Sequence, residues 1–214
     1  MPEFPFLEFR NEMKILDIGC GSGQDLTYLK SRFRSDCYGV DIALDRTMKT
    51  KSGEGISFVL ADASYLPFKD DLFDVVYSFG TIEHTQRTNE CIRESFRVLK
   101  TGGQVLHTVP NMFSLHTLLA RPMLMSIGKW DLGLERSFTL SEFHEMFRRT
   151  GFWRIRYEII PFGVQATVRQ ILSFEGITRI FKVLDNFVSD LIPFWGFFTA
   201  MNGTKPLKRG ARVG

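Results

Sequence analysis

Three glycines stand at alternate positions, Gly19, Gly21 and Gly23, directly after the short apolar run 14–18. An apolar run of this length that ends at glycine is typical of a buried strand, and a helical pattern of apolar residues follows the glycines. Glycine lets the backbone turn sharply and approach a ligand closely, because it has no Cβ. The sequence therefore predicts a ligand-binding turn at the carboxyl end of the first strand.

Three carboxylates lie at or near predicted strand ends. Asp41 closes the second apolar run, where a carboxylate can accept hydrogen bonds from both hydroxyls of a ribose. Asp62 follows the third run within reach of an adenine amino group, and the small Ala63 keeps that space open. Asp17 precedes the glycine turn, where it either fixes the turn by hydrogen bonds or meets an ammonium group of the ligand. These positions predict a site for a nucleoside-containing ligand.

The spacing of these residues argues against other cofactors. A dinucleotide-binding turn needs a third glycine where Gln24 stands, and the chain has no phosphate-binding G-x-x-x-x-G-K-[ST] segment. The three cysteines are far apart without a CxxC pair, and the four histidines lack zinc-ligand spacing, so no metal is expected. Cys20 lies within the glycine turn, where we expect it to pack rather than to react.

A glutamate and a histidine, Glu83 and His84, follow the fourth apolar run and are the strongest candidates for proton transfer. The ordinary pKa of histidine suits removal of a proton near neutral pH. The alternative is a structural role at the entry to a helix, and the sequence leaves both open. His107 lies inside the fifth apolar run and is predicted to be a core residue.

The elements that position these residues alternate along the chain. Helical patterns separate most of the strand-length apolar runs, which implies right-handed βαβ units and a parallel sheet covered on both faces. One helix is predicted from about Thr88 to Gly102, and a capping box at Thr139–Glu142 begins another that ends at Gly151. The first five predicted strands are 14–18, 38–41, 56–60, 73–79 and 104–109.

The last part of the chain completes the predicted sheet. Residues 152–160 form a sixth strand and 195–205 a seventh. Between them, residues 164–192 have helical periodicity, which predicts a helical insert at 161–193 with an apolar face that covers the acceptor. The basic residues from Lys205 to Arg212 are expected to form a solvated tail over 205–214.

These motifs together resemble the class I S-adenosylmethionine-dependent methyltransferases, in particular the small-molecule group similar to ubiquinone and menaquinone methyltransferases. The resemblance covers residues 14–111. The segments that carry it are Ile15–Gly23, Val40–Asp41, Leu60–Ala63 with Leu66–Phe68, Phe73–Val76 and Arg97–Gly103.

The resemblance implies a three-layer, Rossmann-like α/β fold with a mostly parallel seven-stranded sheet and S-adenosylmethionine as cofactor, converted to S-adenosylhomocysteine without a metal. It also places the loop of Glu83 and His84 over the methyl-transfer point. The residues expected to contact the cofactor are Asp17, Gly19, Cys20, Gly21, Gly23, Asp41, Ile42, Asp62, Ala63, Ser78, Phe79 and Gly80.

The expected activity is methyl transfer to a small, partly apolar or lipid-like acceptor, with methylation of oxygen or carbon favoured. The alternative is a non-catalytic cofactor-binding subunit that scaffolds or activates a partner; an aminopropyl-transferring enzyme is less favoured. The near-neutral net charge of +3 and the segment Ser78–Thr81, which lacks the Pro-Pro motif of base-methylating relatives, argue against nucleic acid.

The chain is expected to form one domain, with a cofactor half at 14–111 and an acceptor half at 112–200. It has no signal peptide pattern and no membrane-spanning apolar run, so a cytoplasmic protein is expected. Peripheral membrane contact through 164–192 and a homodimer both stay open.

Overall fold

The computed structural model describes residues 6–43, 55–114, 116–128, 130, 133–160 and 196–207. Within these ranges the chain forms one seven-stranded sheet. Its strands are β1 Lys14–Ile18, β2 Asp36–Asp41, β3 Ile56–Leu60, β4 Phe73–Phe79, β5 Leu99–Pro110, β6 Trp153–Ile160 and β7 Phe198–Thr204.

The strand order is β3-β2-β1-β4-β5-β7-β6. The five strands from β3 to β5 pair in parallel, whereas β7 runs antiparallel to both β5 and β6. This confirms the predicted, mostly parallel Rossmann-like sheet. The order reverses direction at β1, so the carboxyl ends of β1 and β4 diverge into a crevice, the usual place for a ligand in such sheets.

Helices cover both faces of the sheet, which confirms the three layers. They are α1 Gln24–Arg32, a 3₁₀ turn Ile82–His84, α2 Thr88–Val98, a π-helical turn His116–Ala120, α3 Arg121–Ser126 and α4 Leu140–Thr150. Alternation along β1 sends Ile15 into a core with Leu26 of α1. The neighbouring Leu16 joins a core with Ile92 of α2 and Phe147 of α4 on the opposite face.

Helix α4 begins and ends where the sequence predicts. The Thr139 hydroxyl accepts a hydrogen bond from the Glu142 backbone N–H at 3.1 Å, which satisfies one free donor of the first turn. Gly151 ends the helix in the left-handed region at φ 105°. Phe143 and Phe147 are fully buried and hold the helix on the sheet.

The predicted end of α2 at Gly102 is wrong, because the helix stops at Val98 and β5 begins at Leu99. Leu99 pairs with Phe73, yet Gln104 pairs with Val75, so the chain makes a short excursion between these pairs. A Cβ at Gly103 would lie 2.9 Å from the Asp74 carbonyl oxygen. The glycine therefore permits close packing at the irregular start of the strand, not the end of the helix.

Lys205, predicted to begin a solvated tail, is packed against the sheet instead. Its ammonium group donates to Asp71 Oδ1 and to the Leu99 carbonyl oxygen, each at 2.7 Å, and only 11% of its side chain is exposed. The rest of the predicted tail from residue 208, the predicted insert at 161–193 and the helical stretch 164–192 lie outside the described residues. No helix within the described ranges has the length and apolarity needed to cross a membrane.

Candidate functional site

The glycine turn is fixed to the end of β2 by its own backbone. The N–H groups of Gly19 and Cys20 both donate to the Val40 carbonyl oxygen, at 2.7 and 3.1 Å. Gly19 has φ +77°, and a Cβ at this position would collide with the side chain of Thr81. Only glycine therefore fits where the turn meets the chain that leaves β4.

Asp41 is held at the end of β2 by two backbone N–H groups. Its Oδ2 accepts from Gly21 at 2.9 Å and its Oδ1 from Ala43 at 3.1 Å. A carboxylate has about four acceptor positions, so these two hydrogen bonds fix its orientation and leave further capacity for a ligand. The glycine turn and the carboxylate thus form one rigid unit, although they are twenty residues apart.

Asp62 is held in a similar way just beyond β3. Its Oδ1 accepts from the backbone N–H of Ser64 at 2.7 Å and from the Ser64 hydroxyl at 2.8 Å. These hydrogen bonds, the backbone one first, lower the pKa of Asp62 below its ordinary value. The carboxylate therefore stays ionised and can accept hydrogen bonds at neutral pH.

A cavity of about 330 Å³ opens where these strand ends meet. Seven of the predicted site residues line it: Gly19, Asp41, Ile42, Asp62, Ala63, Gly80 and His84. Four further residues that were not predicted from the sequence also line it, namely Val40, Ala61, Thr81 and Thr85. Each of these directly adjoins a predicted site residue in the chain. Position next to a predicted site residue is therefore the signal that could have found them.

The other predicted contact residues Cys20, Gly21, Gly23, Ser78 and Phe79 are not among those that line the cavity. Cys20 is buried, and burial raises the pKa of its thiol to about 12, so the group stays protonated and packs as expected. Ser78 is fully buried within β4, and Phe79 stacks at a tilt on Tyr77 with ring centroids 5.5 Å apart. Gly23 ends the turn, donating its N–H to the Cys20 carbonyl oxygen at 2.7 Å.

Asp17 does not line the cavity either and is buried opposite Tyr77 in the paired strands β1 and β4. Burial raises the pKa of Asp17 well above its usual range, and the charges of Asp25 and Asp41 raise it further, against a hydrogen bond from Tyr77. This carboxyl is therefore harder to ionise than an exposed aspartate. The structure favours a role for Asp17 in fixing the β1–β4 pairing below the glycine turn.

His84 reaches the cavity from the 3₁₀ turn after β4. Its side chain is exposed to solvent, and its Nδ1 lies 2.7 Å from the carbonyl oxygen of Leu134. A carbonyl oxygen can only accept, so Nδ1 carries the proton and Nε2 of the neutral ring keeps its lone pair. The hydrogen bond thus selects the tautomer that a proton acceptor needs.

Glu83 points away from solvent although it adjoins His84 in the chain. Only 1% of the residue is exposed, and its Oε2 makes no hydrogen bond within the described part of the chain. Burial raises the pKa of Glu83 to about 8, with a smaller rise from the charge of Glu135. Its Oε1 lies 3.5 Å from where a Cβ of Gly80 would stand, so the carboxyl lies behind the cavity wall.

A segment distant in sequence supports this turn. The Arg136 N–H donates to the Glu83 carbonyl oxygen at 3.1 Å, next to the hydrogen bond between Leu134 and His84. Farther along, Phe138 N–H donates to the Pro110 carbonyl oxygen at the end of β5. Residues 134–138 therefore connect the His84 turn to the neighbouring strand.

Among the described residues, no three His, Cys, Asp or Glu side chains are grouped to hold a metal ion.

Comparison with known proteins finds similar sequences and a similar fold. Residues 16–107 match the family described as a methyltransferase domain. Phosphoethanolamine N-methyltransferase 1 of Arabidopsis thaliana is 35% identical over 187 residues, which cover 83% of this chain and 35% of that protein. The chloroplastic tocopherol O-methyltransferase of the same plant is 33% identical over 100 residues, covering 44% of this chain and 29% of that protein. The chain thus spans about a third of the length of these relatives.

A solved structure supports the fold assignment. Phosphoethanolamine N-methyltransferase 2 of Haemonchus contortus, in complex with phosphomonomethylethanolamine and S-adenosylhomocysteine, superposes with a TM-score of 0.66. The match covers 94% of this chain and 51% of that one at 20% sequence identity, so it establishes the fold.

Proposed function

We propose that this chain, whose residues 16–107 match a methyltransferase domain, is a class I methyltransferase that transfers a methyl group from S-adenosylmethionine to a small acceptor. The observation that carries the proposal is the cavity at the carboxyl edge of the sheet. Residues from four separate motifs, Gly19, Asp41, Asp62 and Gly80, meet there. Residues that are distant in sequence but converge on one concave site are what a binding function requires.

The residues of this cavity fit the proposed cofactor. A Cβ at Gly19 would fill space beside Thr81, and the two carboxylates of Asp41 and Asp62 are already held by backbone N–H groups. Asp41 would hold the two ribose hydroxyls, Asp62 would accept from the adenine amino group, and Ile42 and Ala63 would contact the base. When bound, the sulfonium of S-adenosylmethionine supplies an electrophilic methyl group.

The chain's own contribution is alignment and proton transfer. Displacement at a methyl group needs the nucleophile in line with the leaving sulfur, so the walls of the cavity act mainly by positioning. We assign the role of proton acceptor to His84, whose Nε2 lone pair is set by the hydrogen bond to Leu134. Glu83 is assigned a positioning role, because it is buried and outside the cavity lining.

The acceptor is proposed to be a small molecule with an apolar part, methylated at oxygen or at an acidic carbon. A histidine base is most useful for such groups, since a hydroxyl or a carbon must lose a proton as it is methylated. Methionines and leucines follow β5 at the same edge of the sheet, which supplies adaptable apolar surface. The relatives include a tocopherol O-methyltransferase and phosphoethanolamine N-methyltransferases, so nitrogen is the competing acceptor atom.

The test is incubation of the purified chain with S-adenosylmethionine carrying a labelled methyl group. Candidate acceptors are phenols with apolar tails, such as tocopherol precursors, and phosphoethanolamine as the nitrogen acceptor. The expected result is label in a phenolic product, with S-adenosylhomocysteine formed in equal amount. Calorimetry on the same protein measures cofactor binding separately. Cofactor binding without turnover on any acceptor, including a cell extract, would instead support the non-catalytic subunit.

A further inference from the structure

Arg121, the first residue of α3, turns its guanidinium group inward. Only 20% of its side chain is exposed. Its Nη1 lies 3.0 Å from the Glu135 carbonyl oxygen, 3.3 Å from Glu135 Oε1 and 3.1 Å from the Ser137 hydroxyl. Both partner residues belong to residues 134–138, the segment that supports the turn of His84. Arg121 is therefore linked to that turn, although it does not line the cavity.

The peptide group between Glu135 and Arg136 is held at both of its ends. Its carbonyl oxygen accepts from Arg121 at 3.0 Å, and its N–H donates to the Glu83 carbonyl oxygen at 3.1 Å. Because a peptide group is planar, hydrogen bonds at both ends fix its orientation. A charged donor on the carbonyl oxygen also polarises the group and strengthens the hydrogen bond of its N–H. Arg121 thus fixes this peptide group against the turn after β4.

The adjoining peptide group carries the carbonyl oxygen that faces His84. This oxygen, of Leu134, lies 2.7 Å from His84 Nδ1, and its peptide group shares the Cα of Glu135 with the fixed one. A tilt of the fixed group would therefore move the Leu134 oxygen, and a hydrogen bond weakens steeply as its angle closes. The His84 side chain is exposed, so water would replace a misplaced carbonyl at Nδ1.

The surroundings of Arg121 also favour a role beyond stability. Only 6% of the Glu135 side chain is exposed, and the buried Thr117 hydroxyl lies 3.0 Å from the Ser137 hydroxyl. A largely buried ion pair adds little to stability compared with apolar residues of similar volume. The position of this pair beside the His84 turn therefore favours a role in the site.

We propose that Arg121 is a positioning residue for His84. Through the peptide group of Glu135 and Arg136 it aims the Leu134 carbonyl oxygen at the ring and holds the proton on Nδ1. The hydrogen bond made by one ring nitrogen decides which of the two carries the proton. Nε2 then keeps the lone pair that a proton acceptor needs. The effect on turnover rests on the proposed function, whereas the position of the proton does not.

The experiment is ¹⁵N NMR of the full chain at about pH 7.5, above the ordinary histidine pKa of about 6.5, where ring shifts show which nitrogen carries the proton. The spectrum of His84→Ala identifies the His84 signals among those of the four histidines. Arg121→Met removes the donors and keeps an apolar side chain of similar reach. Glu135→Gln weakens the ion pair but leaves the contact of Arg121 with the carbonyl oxygen.

The matched control is Arg97→Met. Arg97 also donates to two backbone carbonyl oxygens, those of Phe68 at 2.7 Å and Leu66 at 2.9 Å, and to the Glu94 carboxylate. It stands at the end of α2 that is farther from the His84 turn. The control therefore removes the same kinds of hydrogen bond without touching the residues that support His84.

The double variant Arg121→Met/Glu135→Gln guards against a failure to fold. It removes both charges, so its folding does not depend on a buried carboxylate that has lost its arginine. We expect the proton on Nδ1 in the wild type and a mixture of both tautomers in the single and double Arg121 variants. Turnover of these variants should fall about tenfold or more, with cofactor affinity within about twofold of the wild type. Glu135→Gln and Arg97→Met should keep the wild-type tautomer.

Three results would overturn the proposal: a wild-type ring protonated on Nε2, an unchanged tautomer in the folded Arg121 variants, or the same shift in Glu135→Gln or Arg97→Met. The proposed function is tested apart from this by turnover of the wild type. Expected tautomers in a wild type that methylates no acceptor would contradict the proposed function and still support this role of Arg121.

Discussion

The two walls of the cavity are built by different means. The wall at the ends of β1, β2 and β3 is held by hydrogen bonds between strand-end carboxylates and nearby backbone N–H groups, as at Asp41 and Gly21. The wall after β4 is held by a segment about fifty residues away, through the hydrogen bond of His84 to Leu134. The first wall is therefore supported by residues close to the strand ends, and the second by a segment distant in sequence.

The two walls also differ in the pKa of their carboxyl groups, which is lowered for Asp62 in the first wall and raised for Glu83 in the second. Asp62 keeps a lowered pKa because Ser64 donates two hydrogen bonds to it, so this wall presents a fixed negative charge. Glu83 has a raised pKa because it is buried, so the second wall is backed by an uncharged carboxyl. The fixed charge of the first wall fits the proposed binding of the cofactor. The uncharged carboxyl of the second wall fits the proposed binding of an acceptor that loses a proton.

The largest expected effect comes from breaking the first wall at Gly19. Gly19→Ala should reduce cofactor affinity by more than about a hundredfold, because a Cβ would collide with Thr81 and would also strain a residue at φ +77°. Gly55→Ala is the matched control, since Gly55 precedes β3 away from the cavity, has a similar φ of +81°, and its Cβ would meet only the flexible Lys30 side chain at 3.4 Å. It should cost less than about tenfold. Calorimetry with S-adenosylhomocysteine measures both, and equal losses would show that the collision is unimportant.

The second wall is tested at His84. His84→Ala should lower turnover by about a hundredfold or more, the usual contribution of a general base, with cofactor affinity within about twofold of the wild type. The loss should shrink at high pH, where the acceptor ionises without help. His144→Ala on the distant helix α4 is the control and should leave turnover unchanged. A His84 variant with normal turnover would leave the residue with a structural role only.

Asp41→Ala tests the first wall without adding a collision. The lost charged acceptor should weaken binding of S-adenosylmethionine and S-adenosylhomocysteine by about ten- to a hundredfold, from about 1.5–3 kcal/mol of charge-assisted hydrogen bonding. The control is Asp36→Ala, which removes an exposed carboxylate at the other end of β2. Unchanged affinity in the Asp41 variant, measured by calorimetry, would remove this residue from the proposed cofactor site.

The first wall was largely predictable because its signals are local. Glycines and aspartates at strand ends are readable from short apolar runs, and Gly19, Asp41 and Asp62 do line one cavity. The alternation of strand and helix patterns likewise fixed the parallel order of the sheet. The depth of each side chain was less predictable, because burial depends on the packed sheet. Asp17, Cys20 and Ser78 belong to the right motifs but are buried and do not line the cavity.

Gly80 and His84 of the second wall were predicted and line the cavity. The hydrogen bonds that support this wall could not be predicted, because no local pattern links Leu134 to His84 or Arg121 to Glu135. Lys205 shows the converse error: a basic residue near the end of the sequence was expected to be solvated, yet Asp71 and Leu99 bind it. Long-range hydrogen bonds decided all of these positions.

The smallest expected change in activity is at Glu83, which lies behind Gly80 in the second wall. The pKa of about 8 keeps most of this carboxyl protonated at pH 7, and a glutamine has nearly the same shape. Glu83→Gln should therefore change turnover by less than about threefold at pH 7. Stability should respond more, because a buried acid resists ionisation in the folded state.

The sign of that response follows from the raised pKa. Between the ordinary value of 4.5 and about 8 the folded chain holds a proton on Glu83 that the unfolded chain has lost. This contribution to stability is complete below pH 4.5 and is lost as the pH rises through 8, so wild-type stability should fall across this window by on the order of a few kcal/mol. Glu83→Gln should flatten this fall in urea unfolding measured from pH 5 to 9. Glu90→Gln on the exposed side of α2 should follow the wild-type curve, and parallel curves for the Glu83 variant and the wild type would show that Glu83 is ionised within the fold.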